Sequence, residues 1–127
     1  MTLIGDYTFS KCSFTHFNIL QTVTNIEVGS FSDCSLLTQI NIPISFNEIS
    51  PYLFLYCKSL KQITFENLCS IKMIGNYSFA CCSSLEHIKI PLSVTFIKWY
   101  AFINCSSLTE ITIPSSVECI ENDAFSD

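Results

Sequence analysis

Eight cysteines and two histidines are the most reactive side chains of this sequence, and their spacing decides what they could do. Zinc sites close a tetrahedron from tight pairs such as C-x-x-C. Here Cys12, Cys34, Cys57, Cys82 and Cys105 stand 22, 23, 25 and 23 residues apart, which is the spacing of a repeat. A nucleophilic thiol needs a depressed pKa and a nearby imidazole. The vicinal pair Cys81-Cys82 has its nearest histidine, His87, five residues on, and His16 lies far back in the chain. No nucleophile triad or spaced acid–base pair accompanies them. With three glycines in all there is no Gly-rich phosphate cradle. The chemistry-bearing residues therefore imply no catalysis, no metal and no cofactor.

What they do imply is a register. Phe9, Phe31, Phe54, Phe79, Phe102 and Phe125 keep the same steps as the cysteines, and so do Ile4, Ile26, Ile49, Ile74, Ile97 and Ile120. Three residue types in one register define units of 22 to 25 residues, over 4–25, 26–48, 49–73, 74–96 and 97–119, with a partial unit at 120–127. The clearest unit, Ile97 to Cys119, reads I-x-x-x-(small)-F-x-x-C-x-x-L-x-x-I-x-I-P-x-x-V-x-x. The first unit lacks one residue, between Cys12 and Phe14. The third carries two extra around Asn67-Leu68-Cys69-Ser70, with Glu66 in the place of proline. Such small length changes fit a loop at the edge of a coil.

Each part of the unit has a physical reading. In Leu108-Thr-Glu-Ile111-Thr-Ile113 apolar and polar residues alternate and β-branched types dominate, which predicts a short strand with one buried face. Proline then stops the strand. A second extended piece, Val117-Glu-Cys-Ile120, returns the chain along the other side. A tight helical turn such as Lys98-Trp-Tyr-Ala-Phe102 points its Phe inward. One coil cannot cover its own apolar side, so coils must stack at about 4.8 Å and share a core. The cysteine row is expected to be a ladder of small buried thiols. A disulfide network is the rival, because adjacent coils bring Cα atoms within bonding range, but parallel side chains give poor bond geometry.

The strand pattern L-x-x-I-x-I resembles the leucine-rich-repeat core. Ala-Phe102-Ile-Asn-Cys105-Ser-Ser-Leu108, followed by Ile-Thr-Ile-Pro114-Ser-Ser-Val117, is similar to the BspA-like subfamily, most clearly over 74–125. That resemblance covers nearly the whole chain. It implies a right-handed leucine-rich-repeat solenoid of the α/β type, mostly short parallel strands with short helical turns, as a single domain over 1–127. It also implies surface-associated proteins linked to adhesion, and supplies no catalytic residues.

Outward strand positions are the expected contact surface. Alternation places Asn18, Asn41, Thr64, Lys89 and Thr112 in one row and His16, Gln39, Gln62, His87 and Glu110 in the next. Thr15, Thr38, Lys61, Glu86 and Thr109 flank them. These rows suit hydrogen-bonded recognition of a protein partner on a concave sheet, by a non-catalytic scaffold. The alternative is an adhesin fragment contacting host or matrix proteins. Trp99 takes the slot held by Asp6, Asn76 and Asn122 in other units, so it is expected to be exposed and to anchor an interface. Asn76-Tyr-Ser78 and Asn104-Cys-Ser106 match the glycosylation pattern, but on positions where the repeat is already rich in Asn and Ser.

Composition fits this reading. Hydrophobic residues make up 49% of 127, charged residues 13%, and the net charge is −5. The six basic residues do not cluster, which argues against nucleic acid as a partner. No apolar run reaches the roughly eighteen residues of a spanning helix, so membrane insertion is not expected. Met1-Thr-Leu-Ile-Gly-Asp6 has no basic or apolar leader character, so the chain as written reads as cytoplasmic, and as cell-surface if it is a segment of a longer protein. Both ends fall inside a unit without a polar cap, which leads to an expectation of self-association through the ends.

Overall fold

Alternation along Gln39-Ile-Asn-Ile42 buries both isoleucines and exposes Gln39 and Asn41, and that pattern, repeated, builds the molecule. The computed structural model describes residues 2–67 and 69–127. Its strands are β1 (Thr2–Ile4), β2 (His16–Phe17), β3 (Val23–Ile26), β4 (Gln39–Ile42), β5 (Glu48–Ile49), β6 (Gln62–Phe65), β7 (Met73–Ile74), β8 (His87–Lys89), β9 (Phe96–Ile97), β10 (Glu110–Thr112) and β11 (Cys119–Ile120). Even-numbered strands line one side of a coil, and odd-numbered strands line the other. Every strand pair is parallel, and each strand pairs with its counterpart one coil away. The chain is a parallel β-solenoid.

The interior is made of the ladders read from the sequence. Phe31, Phe54, Phe79 and Phe102 are all 0–1% exposed and stack ring on ring, with centroids 5.8, 5.5 and 5.2 Å apart. Beside them run Ile26, Ile49, Ile74 and Ile97, and Leu37, Leu60 and Leu85 just before β4, β6 and β8, all buried. Burying one such side chain stabilises the fold by about 1.5–3 kcal/mol, so the shared core dominates the coil-to-coil interaction.

The bends between the two sides differ from expectation. They were expected to be helical turns, yet among the described residues there is no helix. In the first bend Thr8, Ser10 and Cys12 donate their amides to Gly5, Tyr7 and Phe9, three residues back, while Tyr7, Phe9 and Lys11 donate to Val28, Ser30 and Ser32 of the next coil. An α-helix would spend each amide on its own carbonyls. Here alternate amides tie one coil to the next, and a left-handed residue at each step makes the alternation possible. One left-handed row is Tyr7, Gly29, Tyr52, Tyr77, Tyr100 and Asp123; the other is Lys11, Asp33, Tyr56, Cys81 and Asn104. A left-handed residue other than glycine costs about 1–2 kcal/mol, which the inter-coil bonds and tyrosine stacking offset. Tyr52, Tyr77 and Tyr100 stack at 5.3 and 4.9 Å. Gly29 breaks that row, and the Tyr7 ring lies where its Cβ would be.

Gly75 has a different reason. An added Cβ would stand 2.7 Å from the Ile49 carbonyl oxygen and 2.8 Å from the Pro51 nitrogen, both backbone atoms of the coil below. Gly75→Ala is therefore expected to lower stability by about 1–3 kcal/mol, the usual cost of overpacking. Urea denaturation measures it, and an unchanged midpoint would mean that the coils do not approach so closely.

Among the described residues each side of the coil has one break in its strand pairing. On the odd side β3 and β5 are unpaired, and the Ser50 hydroxyl takes the Ile26 carbonyl instead. On the even side β6 and β8 are unpaired, just after the two extra residues of the third coil.

Candidate functional site

The even strands hold the predicted rows in register. His16, Gln39 and Gln62 are direct neighbours across β2, β4 and β6, as are Asn41 and Thr64 across β4 and β6. His87 faces Glu110 and Lys89 faces Thr112 across β8 and β10. All of these side chains are exposed, because the alternate residues of each strand are committed to the core. Asn18 is exposed too, but it follows β2 rather than lying within it.

The rows form two neighbouring concavities. His16, Asn18, Gln39, Asn41, Gln62 and Thr64 line a shallow depression of about 550 Å³. Gln62, Thr64, His87 and Lys89 border a second cleft of about 700 Å³, whose remaining walls are the residues after β6 and the Ile90–Ser93 turn. Glu110 and Thr112 lie beyond both, and Trp99 is not brought to this face. It is 54% exposed and follows β9, on the odd side of the coil.

Glu66 is the residue whose role here the sequence pattern did not reveal. Its carboxylate accepts from the Gln21 side chain at 2.6 Å, from the Asn41 side chain at 3.1 Å and from the Ile44 amide at 3.3 Å. Asn41 in turn accepts from the Thr64 hydroxyl at 2.9 Å. One acid thus clamps three successive coils and holds the Asn41–Thr64 row in a fixed orientation. The signal was present in the sequence, since the third coil has a carboxylate where the second, fourth and fifth have Pro43, Pro91 and Pro114.

The cysteine ladder is inert by construction. Cys34, Cys57, Cys82 and Cys105 are buried, and their thiols lie 3.1–3.2 Å from the carbonyls of Phe9, Phe31, Phe54 and Phe79, positioned to donate. The ladder is therefore more than space-filling, since each thiol satisfies a carbonyl of the preceding coil. Burial pushes the Cys34 thiol up to about 11 and Cys105 up to about 12, and drives Cys57 and Cys82 upward as well. Protonated thiols are poor nucleophiles and poor metal ligands. All eight cysteines are free. Cys81 meets the Asn104 side chain rather than an imidazole, and His16 is bonded to the Thr15 hydroxyl at 3.0 Å. Among the described residues no three His, Cys, Asp or Glu side chains converge on one point.

A model of the BspA type leucine rich repeat region matches residues 2–127 in six copies. No curated protein matches the chain. Among solved structures it is similar to a leucine rich cell surface protein of Faecalibacterium prausnitzii A2-165, at 36% identity over 90% of this chain with a TM-score of 0.84. It is also similar to a leucine-rich repeat protein of Eubacterium ventriosum ATCC 27560, at 27% identity over 96% of the chain with a TM-score of 0.89. A T. pallidum leucine rich repeat protein matches at 26% identity over 98%, with a TM-score of 0.88. The chain spans 30%, 33% and 58% of those proteins respectively.

Proposed function

Because the chain belongs to the BspA-type leucine-rich-repeat family, we propose that it is a non-catalytic scaffold that holds a protein partner against the face built by β2, β4, β6, β8 and β10. The observation that carries this reading is the register of that face, where polar side chains such as His16, Gln39 and Gln62 repeat from coil to coil on a sheet whose other side is locked in the core. Amides and hydroxyls held at fixed spacing reward a partner of matching periodicity and cost little to preorganise. Trp99 offers a separate apolar anchor on the other side of the coil.

The double variant His87→Ala, Lys89→Glu is expected to weaken capture of the native partner by about tenfold or more, since it removes one donor and reverses one charge. Both side chains are exposed, so the melting temperature should not move. Affinity capture from the native source followed by titration of the captured protein measures the first effect, and undiminished affinity would remove this face from consideration.

A second reading, display on a cell surface, is favoured by the 36% identity to a protein described as a cell surface protein. In that setting the same face would contact a host or matrix protein.

A further inference from the structure

We propose that the bend after β9 captures an arginine side chain of a partner protein, its guanidinium lying on Trp99 and pairing with the carboxylate of Asp123. This deepens the role of anchor given to Trp99 and rests on that part of the scaffold reading, not on the even face. Trp99 is the single tryptophan of the chain and is 54% exposed. The coils before and after it put Asn76 and Asn122 in the same slot. Both side chains are smaller than an indole, so neither covers the ring. The backbone beneath it is fixed, since the Trp99 carbonyl accepts from the Tyr77 amide at 3.2 Å and the Trp99 amide donates to the Glu121 carboxylate at 3.1 Å. A large aromatic side chain on a rigid backbone, left uncovered by its own chain, has the character of an interface anchor.

The charge around the ring selects a cation. The coil that follows on this side carries Glu118, Glu121, Asp123 and Asp127 and no lysine or arginine. Lys98, the base next to Trp99, is already engaged. Its ammonium lies 3.0 Å from the Glu121 carboxylate and 5.5 Å from the centre of the Phe96 ring. Aromatic face, cation and carboxylate thus already meet once within the chain. Trp99 offers the stronger aromatic face, and among the described residues no cation lies over it. The carboxylate left for a partner is Asp123, which is exposed and stands beside Tyr100 in the left-handed row, one coil on. One of its oxygens accepts from the Ser126 hydroxyl at 2.9 Å, and the other is open to a donor. Guanidinium suits this pair better than ammonium, because its planar face stacks on an indole while its N–H edge reaches a carboxylate.

The test titrates the isotope-labelled full chain with serine hexapeptides whose central residue is arginine, citrulline or glutamate. NMR follows the Trp99 indole N–H and the backbone amides of Asn122 and Asp123. The arginine peptide is expected to shift all three resonances saturably. Citrulline keeps the shape without the charge and should bind about tenfold more weakly, and the glutamate peptide should not bind. Trp99→Leu and Asp123→Asn should each weaken the arginine peptide by about tenfold, read at the Asn122 amide. Equal binding of the arginine and citrulline peptides, binding of neither, or arginine binding undiminished in both variants overturns the proposal. Arginine binding lost with His87→Ala, Lys89→Glu but kept with Trp99→Leu also overturns it, and leaves the even-face reading intact. Native-partner capture that survives the His87→Ala, Lys89→Glu change, with arginine still bound at Trp99, defeats the even-face reading and upholds this site.

Discussion

Phe79→Ala is expected to lower the unfolding free energy by about 3–5 kcal/mol, the range for truncating a fully buried aromatic in a core that cannot collapse around the gap. Phe79 is 0% exposed and is sandwiched between Phe54 at 5.5 Å and Phe102 at 5.2 Å, nearly parallel to both. Its removal strips one contact face from each neighbour, so the loss is carried in both directions along the stack. Domains of this size are stable by about 5–15 kcal/mol, so the variant should lose a large share of the total and unfold at a clearly lower urea concentration. Tyr77→Ala serves as the comparison. That side chain also stacks on two neighbours, but at the surface, and the left-handed backbone there suits alanine no worse than tyrosine. Its cost should be about 1 kcal/mol, typical of an aromatic pair beyond its burial. Urea denaturation followed by tyrosine and tryptophan fluorescence measures both, and equal losses would mean that the phenylalanines do not form the central column.

The second large effect is alkaline destabilisation. A thiol ordinarily ionises near 9, and burial raises Cys34, Cys57, Cys82 and Cys105 above that value. The folded chain therefore binds these protons more tightly than the unfolded chain does. Stability from this source is intact below about pH 9 and falls as the pH climbs beyond it, by at most about 1.4 kcal/mol per pH unit for each thiol. Tyr77, raised by burial and then by Tyr100 and Tyr52, acts in the same direction. Comparison with Cys57→Ala, Cys82→Ala isolates the thiols. The double variant should be less stable than the parent at about pH 8 yet lose less between about pH 9 and about pH 11. Parallel slopes for the two proteins would mean that these thiols are not held protonated in the core.

Much of this was legible in the residues because the repeat makes the same statement several times. The Phe, Ile and Cys ladders specified the coil, the buried column and the two sides, and the alternation in Gln39-Ile-Asn-Ile42 specified which side chains face outward. The bends were misread as helical because Tyr77 and Lys11 give no local sign of a left-handed backbone. The sign lay in their counterparts. Gly29 stands in the tyrosine row, and Asp33 and Asn104 stand in the other, all types that tolerate positive φ. The break between β6 and β8 was not legible either. The two-residue insertion could be placed at a coil edge, but whether one strand pairs with the next depends on how successive coils settle, which no single unit encodes. For the same reason Glu66 looked like a missing proline until Gln21, Asn41 and Ile44 were seen to converge on it.

The central claim is that each coil is fastened to the next through its bends rather than folded into helical turns of its own. Scalar couplings across hydrogen bonds, measured by NMR on isotope-labelled chain, test it bond by bond. The amides of Phe31, Phe54, Phe79 and Phe102 should couple to the carbonyls of Leu53, Ser78, Ala101 and Ala124, each one coil ahead. Couplings from those amides to carbonyls four residues earlier in the same bend would contradict the account.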